Sequence, residues 1–390
     1  MSGTKNRSSI SLNNFLFGEL RPDHKVPAPS ALPPPLGPLS AFVGDFAGNG
    51  FNTIFRPDSA KTPTVFPTPV GPSDNVLELN LTSETLSFSK SLGTVPNRGT
   101  GAQPDAFLNG VPYLQTVNDI TIRGESVGIH FEPGMWIHVP ATTIPPLGET
   151  VARMASIPHG TTIDAQGLVQ AAQPGKPKID PVDITPIVKG TGKKVNPKFP
   201  SQTASNPKTP RIPQDLGPFI TRGTITQAML DDPNTLLRDH ISKQNIISNT
   251  AIFISTAPPP PVGLFGGGTD NIAFLLGQVN ATAPNAQTTQ MTAVFWIETV
   301  EEVIKVGPFK VGDSPILRKA TPSIAGQRVA TFSATPPHDL DKEIEIRVRF
   351  TQIQYTQTVL LFFAGLIWPH VSVNTLVPAD DIVVPPSVWK

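Results

Sequence analysis

The chain has 390 residues, with 30 Lys and Arg against 30 Asp and Glu, and no cysteine. This balance leaves no basic face for nucleic acid, and the missing thiols remove disulfides, iron–sulfur clusters and thiolate-bound haem together. The N-terminus lacks the apolar centre of a secretory signal and no apolar run reaches membrane-spanning length, so a cytoplasmic protein that engages neither membrane nor nucleic acid is expected.

Residues 1–38 are polar and then proline-rich, and read as a surface arm ahead of a single domain over 39–390. The first strand-like stretch is 39–57. Residues 76–81 and 85–89 follow, joined by Thr82-Ser83-Glu84, which has the character of a hairpin connection. Residues 117–122 alternate, and 127–139 reads as a strand with a bulge or bend at Pro133-Gly134. Residues 151–157 and 161–166 make a further pair around Pro158-His159-Gly160.

From 173 to 218 Pro, Lys, Gly, Ser and Thr dominate and no period is visible. This is the start of an insertion that runs to about 250 and ends in the one helical region, 224–247. There Thr224 or Thr226 can cap, Pro233 stands where a second helix would begin, and Leu237, His240, Ile241 and Gln244 fall at helical spacing. Strands resume at 251–255, 272–279, 292–306 and 328–333. In the last segment Ile344, Ile346, Val348 and Phe350 alternate with charged residues. After Thr351 the phase slips to Ile353 and Tyr355, which predicts a bulge or a new strand. A break at Ala364-Gly365 precedes a strand in which His370, Ser372 and Asn374 share one face. Many strands, few helices and 45 prolines point to an all-β fold, an antiparallel up-and-down barrel of about ten strands.

Seven histidines are the candidates for chemistry. His24 and His338 lie in proline-rich loops and read as surface residues, and His240 reads as a structural helix residue. His130 and His138 fall on one face of an extended stretch and, with Glu132, give the residue types of a two-histidine-one-carboxylate iron site; the Pro133-Gly134 break counts against it. Gly44, Gly48 and Gly50 lie inside a strand pattern and are no dinucleotide fingerprint. Taken alone, His370 is either an iron ligand or a barrel-mouth histidine bonded to a backbone carbonyl.

The motif Phe46-x-Gly48-x-Gly50-Phe51 resembles the opening strand of the nitrobindin family, Trp-x-Gly-x-Gly-x-Gly-x-Tyr-Pro, with Phe46 at the Trp position and Phe51-Asn52 departing from the third Gly. Ile129-His130-Phe131-Glu132-Pro133-Gly134 is similar to that family's Leu-His-x-Glu-x-Gly, and the stretch from Ala155 to Gly167 to its Ala-Gln-x-Thr-Gly strand pair. The run from His370 to Leu376 is similar to its last strand, which opens on the proximal haem histidine. The motifs occur in the family's order and cover under half of the chain.

The resemblance implies haem b in the barrel mouth, with His370 as the metal ligand. On the opposite side His159 becomes the catalytic residue, its other reading being a turn histidine pointing to solvent. His130 lies at the pocket edge. Phe46, Phe51 and Trp368, together with Phe42, Trp136 and Phe362, are candidate walls. Arg56 and Arg153 are candidate partners for the propionates, or equally for carboxylates on the surface. The implied chemistry is haem-dependent redox or isomerisation on peroxide, a nitrogen oxide or a small apolar organic molecule. The alternative is a lipocalin-like carrier without catalysis. A homodimer is left open.

Overall fold

In the computed structural model of the chain, the alternating segments close on one another. The structure describes residues 35–144, 146–257, 267–276 and 285–389. Ten strands form the barrel: β1 (Gly44–Pro57), β2 (Asn75–Phe88), β3 (Ala106–Asp119), β4 (Val127–Val139), β5 (Thr150–Ile157), β6 (Thr161–Val169), β7 (Asn245–Ser255), β8 (Gln287–Val306), β9 (Ile344–Phe363) and β10 (Leu366–Pro378). Each pairs antiparallel with its neighbours in the chain, including β6 with β7, and β10 pairs with β1 to complete the circle. Closure leaves the ten barrel strands no open edge to template aggregation. Gly50 lies opposite Asn374 in the closing pair, and a Cβ there would meet Asn374 Nδ2 at 2.6 Å.

The lower end is plugged. A short 3-10 turn, Gly37–Ala41, carries Leu39 and the following Phe42 into the barrel, where both are fully buried. Phe42 stacks on Phe88 at 4.6 Å and meets Trp136 edge-on at 5.5 Å; Trp136 in turn meets Phe295 at 5.1 Å. Such aromatic pairs add to plain area burial.

The insertion between β6 and β7 carries α1 (Gly217–Arg222), α2 (Gln227–Asp231) and α3 (Asn234–Ile241). Thr226 caps α2, its Oγ1 accepting from Met229 N at 3.3 Å, and α3 begins just after Pro233. A second core joins the insertion to the outside of the barrel, uniting Phe51, Phe55, Leu77 and Leu79 with Ile184, Leu216, Leu237 and Ile241.

Several sequence expectations change. The two stretches expected over 76–89 form one strand, Asn75–Phe88, rather than a hairpin, because Thr82 and Glu84 are buried within the sheet instead of turning at its edge. Pro133-Gly134 makes no bulge. Pairing of β4 with β5 begins only at Gly134, so the missing N–H of Pro133 costs no bond on that side, and the register shift falls instead at Val117/Asn118. Gly134 is required because a Cβ there would lie 2.5 Å from the Tyr113 ring. β7 starts at Asn245, and residues 273–276 form a helical turn, α4 (Ala273–Leu276). Residues 277–279 and the first 34 residues of the arm lie outside the described residues.

The phase slip at Thr351 is not a bulge either. β9 is one strand of 20 residues, and its register with β8 is unbroken from Ile344 through Leu360. What changes is the buried side. Ile346, Val348 and Phe350 face the outer core, whereas Ile353 and Tyr355 face the barrel interior.

Candidate functional site

The interior of the barrel is polar at mid-height. Tyr113, Gln115, Glu132 and Arg153 each fall in phase with apolar inward residues of their own strand, such as Val111, Trp136 and Val151. Glu132 and Arg153 form an ion pair with side-chain exposures of 0% and 2%. Tyr113 donates its hydroxyl to Glu132 and accepts from Arg153 Nε at 2.7 Å. Arg153 also donates to Gln357 Oε1 at 2.7 Å and to Gln115 Oε1 at 3.2 Å. The rings of Tyr113, Trp136 and Phe295 surround its guanidinium at 5.4, 5.8 and 5.4 Å. Burial alone would raise the Glu132 carboxyl, but Arg153 and the donors His130 and Tyr113 overcome it and hold it near about 2.

A second carboxyl lies beside this pair with the opposite bias. Glu84 accepts from Tyr355 at 2.6 Å, from Gln115 Nε2 at 2.8 Å and from Asn374 Nδ2 at 2.9 Å. Burial nevertheless pushes it up to about 7, against the pull of those hydrogen bonds. The surroundings of these two neighbouring carboxyls thus push them in opposite directions, Glu132 down and Glu84 up.

Above this layer, at the end away from the plug, His130 and His159 meet and His370 lies near them. His130 Nε2 donates to Glu132 Oε2 at 3.1 Å, and the His130 ring lies 6.1 Å from that of His159. His159 is exposed on the β5–β6 turn, its Nε2 3.2 Å from the carbonyl of Ile129. Gly160 in that turn has φ +102°, and a Cβ on it would press on Ile272 at 2.9 Å, so the turn takes glycine. His370 enters from β10. Its Nε2 is 2.7 Å from Asn52 Nδ2, an amide that also donates to Ser372 Oγ at 2.9 Å. Burial, with the nearby His130 and His159 rings, pushes the His370 imidazole down to about 3, so it is neutral at pH 7.

The sequence-predicted residues therefore divide. His370, His130 and His159 come together at the upper end. Phe46 is interior but low, edge-on to Phe88 at 6.0 Å. Phe51 and Trp368 belong to the outer core: Phe51 is shut in there, and Trp368 stacks on Phe363 at 4.7 Å and lies 5.0 Å from Phe55. They do not reach the histidine end of the barrel interior, because the insertion covers that side of the barrel and takes up the aromatics. Arg56 is held by Glu78 and by Thr64 Oγ1 at 3.0 Å, and Arg153 by Glu132. Phe42 and Trp136 fill the plug. Phe362 lies under the Lys189 ammonium at 3.7 Å. His138 sits at the plugged end, bonded to the Pro35 carbonyl at 2.8 Å, so it shares no site with His130. Among the described residues no group of three or more His, Cys, Asp or Glu is placed to hold a metal ion. Sequence reasoning missed Asn52, Glu84, Gln115 and Tyr355. The available signal was a polar residue standing in the apolar phase of its strand.

The fold and site define an antiparallel ten-stranded barrel with a buried ionisable cluster in its interior and histidines at its unplugged end. No protein-family model and no curated protein matches the chain. Among solved structures the chain is similar to "Crystal Structure of Rv2717c from M. tuberculosis", at 10% identity over 88% of this chain and 97% of that one, with a TM-score of 0.33. A likeness that weak says nothing about function. No helix among the described residues is long and apolar enough to cross a membrane.

Proposed function

We propose that this barrel is a nitrobindin-like haem protein that holds haem b at its mouth through His370. The observation that carries this reading is the placement of the imidazole: it stands at the unplugged end of the barrel, held at Nε2 by Asn52, with His130 and His159 near it. The residue type suits iron, which takes the lone pair of a neutral imidazole, and the Asn52 amide on Nε2 would have to give way for it. Bound there, haem would supply redox or isomerisation chemistry toward peroxide, a nitrogen oxide or a small apolar molecule. The chain's own residues supply the rest. Glu132 fixes His130 by accepting its Nε2 proton. His159, exposed on its turn, would be the side chain that an incoming substrate meets. Arg153, bonded to Gln357 at 2.7 Å, would lie beneath a ligand bound at that end.

A second reading is a carrier for an apolar molecule. The observation in its favour is a rim of exposed apolar side chains beside the His159 turn: Ile272 at 58%, Phe274 at 58% and Val127 at 55%. Colour separates the two. The haem reading expects a strong Soret band in protein purified from cells supplied with haem, and colourless protein with an extractable apolar ligand supports the carrier.

A further inference from the structure

Asn52 was not among the residues expected at this site, yet it makes the closest polar contact the His370 ring has in the structure. Its three contacts fix its orientation. Oδ1 accepts from Asn80 Nδ2 at 3.4 Å, which turns both amide hydrogens the other way, one toward Ser372 Oγ at 2.9 Å and one toward His370 Nε2 at 2.7 Å. An amide N–H can only be received by a ring nitrogen with a free lone pair. Nε2 is therefore the bare nitrogen, and the ring proton sits on Nδ1.

We propose that Asn52 is a positioning residue that sets the tautomer of His370 and covers its Nε2 lone pair, so that a Lewis acid entering the mouth must displace the Asn52 amide before it can bind that nitrogen. The site is the same one that the haem reading uses, but the inference rests on the contacts of Asn52 and not on haem. Nothing in the sequence of β10 could reveal it, because the residue that controls the ring lies 318 positions away on β1. The cost of displacement is one side-chain hydrogen bond, and Asn52 keeps Ser372 and Asn80 as partners when it lets go.

The test uses the full chain in three forms: wild type, Asn52→Asp and Asn52→Ala. Long-range nitrogen–proton NMR correlations report which ring nitrogen of His370 carries the proton. Wild type is expected to show protonated Nδ1 and bare Nε2. In Asn52→Asp a carboxylate oxygen replaces the amide N–H, with Asn80 and Ser372 as ready donors to it, so the ring should reverse to protonated Nε2. In Asn52→Ala the single preference should give way to a mixture of both forms. An unchanged tautomer in both variants, or protonated Nε2 in the wild type, overturns the proposal. Haemin is then titrated into the same three proteins. Removing the covering bond should tighten haemin binding about fivefold in Asn52→Ala, the effect of one typical hydrogen bond, and Asn52→Asp should weaken it. Equal haemin affinity in all three overturns the covering role. A reversed tautomer in Asn52→Asp with no haemin binding to any form supports the tautomer role and sinks the haem reading alone.

Discussion

Glu132 and Arg153 face each other across β4 and β5 as an ion pair almost wholly removed from water. Taking two charges out of water is expensive, and only their attraction and the surrounding donors offset it. Tyr113, Gln115 and Gln357 complete the coordination of Arg153.

Removing one partner leaves the other charge buried and unpaired. Glu132→Gln and Arg153→Met are each expected to lower stability by about 3–5 kcal/mol. The double variant should lose less than the sum of the two. Urea unfolding of the four proteins checks this. Additive losses would show that the two side chains are not coupled.

A different buried carboxyl predicts how stability depends on pH. Glu298 on β8 is fully buried, its Oε2 accepts from Gln352 Nε2 at 2.6 Å, and its Oε1 has no partner among the described residues. Burial pushes it up to about 8, from an ordinary value of 4.5. The folded state thus keeps this proton at pH values where the unfolded chain has lost it. The contribution is complete below about 4.5 and is lost as pH rises through about 8. Glu84, raised to about 7, acts in the same direction. Denaturant midpoints measured between these limits should fall with pH in wild type. In Glu298→Gln they should fall less, with a difference on the order of 4 kcal/mol at the alkaline end. Parallel curves for the two proteins contradict the assignment.

The β9–β10 turn offers a stabilising change. Ala364 has φ 46° and Gly365 φ 77°, so both central residues of this two-residue turn are left-handed. Such turns favour Asn or Gly at the first position, where alanine carries a Cβ penalty. Ala364→Asn is expected to stabilise by about 0.5–1 kcal/mol, read as a rise in melting temperature. A fall in that temperature would contradict the assigned geometry.

Arg211 organises the front of the insertion. It is fully buried and donates to the carbonyls of Ser201, Thr203, Ala204, Asn206 and Gln214 at 2.8–3.2 Å. Lysine has one donor group where arginine has a fork, so it cannot reach these carbonyls together. Both Arg211→Met and Arg211→Lys should lose about 2–4 kcal/mol and speed amide exchange over residues 199–214. Full recovery of protection with lysine would show that charge alone suffices.

The barrel and the chamber were not equally legible in the sequence. Period-two alternation marked most strands, and it placed His370, Ser372 and Asn374 on one face; Asn52 and Glu84 bond those three side chains inside the barrel. The same alternation cannot say whether a polar residue faces water or a sealed interior. Glu84 looked like part of a turn, and Arg153 like a surface residue or a propionate partner. Phe51 and Trp368 misled because the insertion gives β1 and β10 a second buried side, so an aromatic there does not mark the chamber. The phase slip in β9 has the same origin, since one strand passes between two cores. Asn52 and His370 meet through the β1–β10 closure, a contact that no local pattern announces.

The central claim is that His370 can hold the iron of haem at the barrel mouth. Haemin titrated into wild type and His370→Ala, followed by absorption, tests it most directly. The account predicts saturable binding at one haem per chain with a sharpened, shifted Soret band in wild type, and a loss of that shift in the variant. Two identical titrations, or no saturation in either protein, would contradict it.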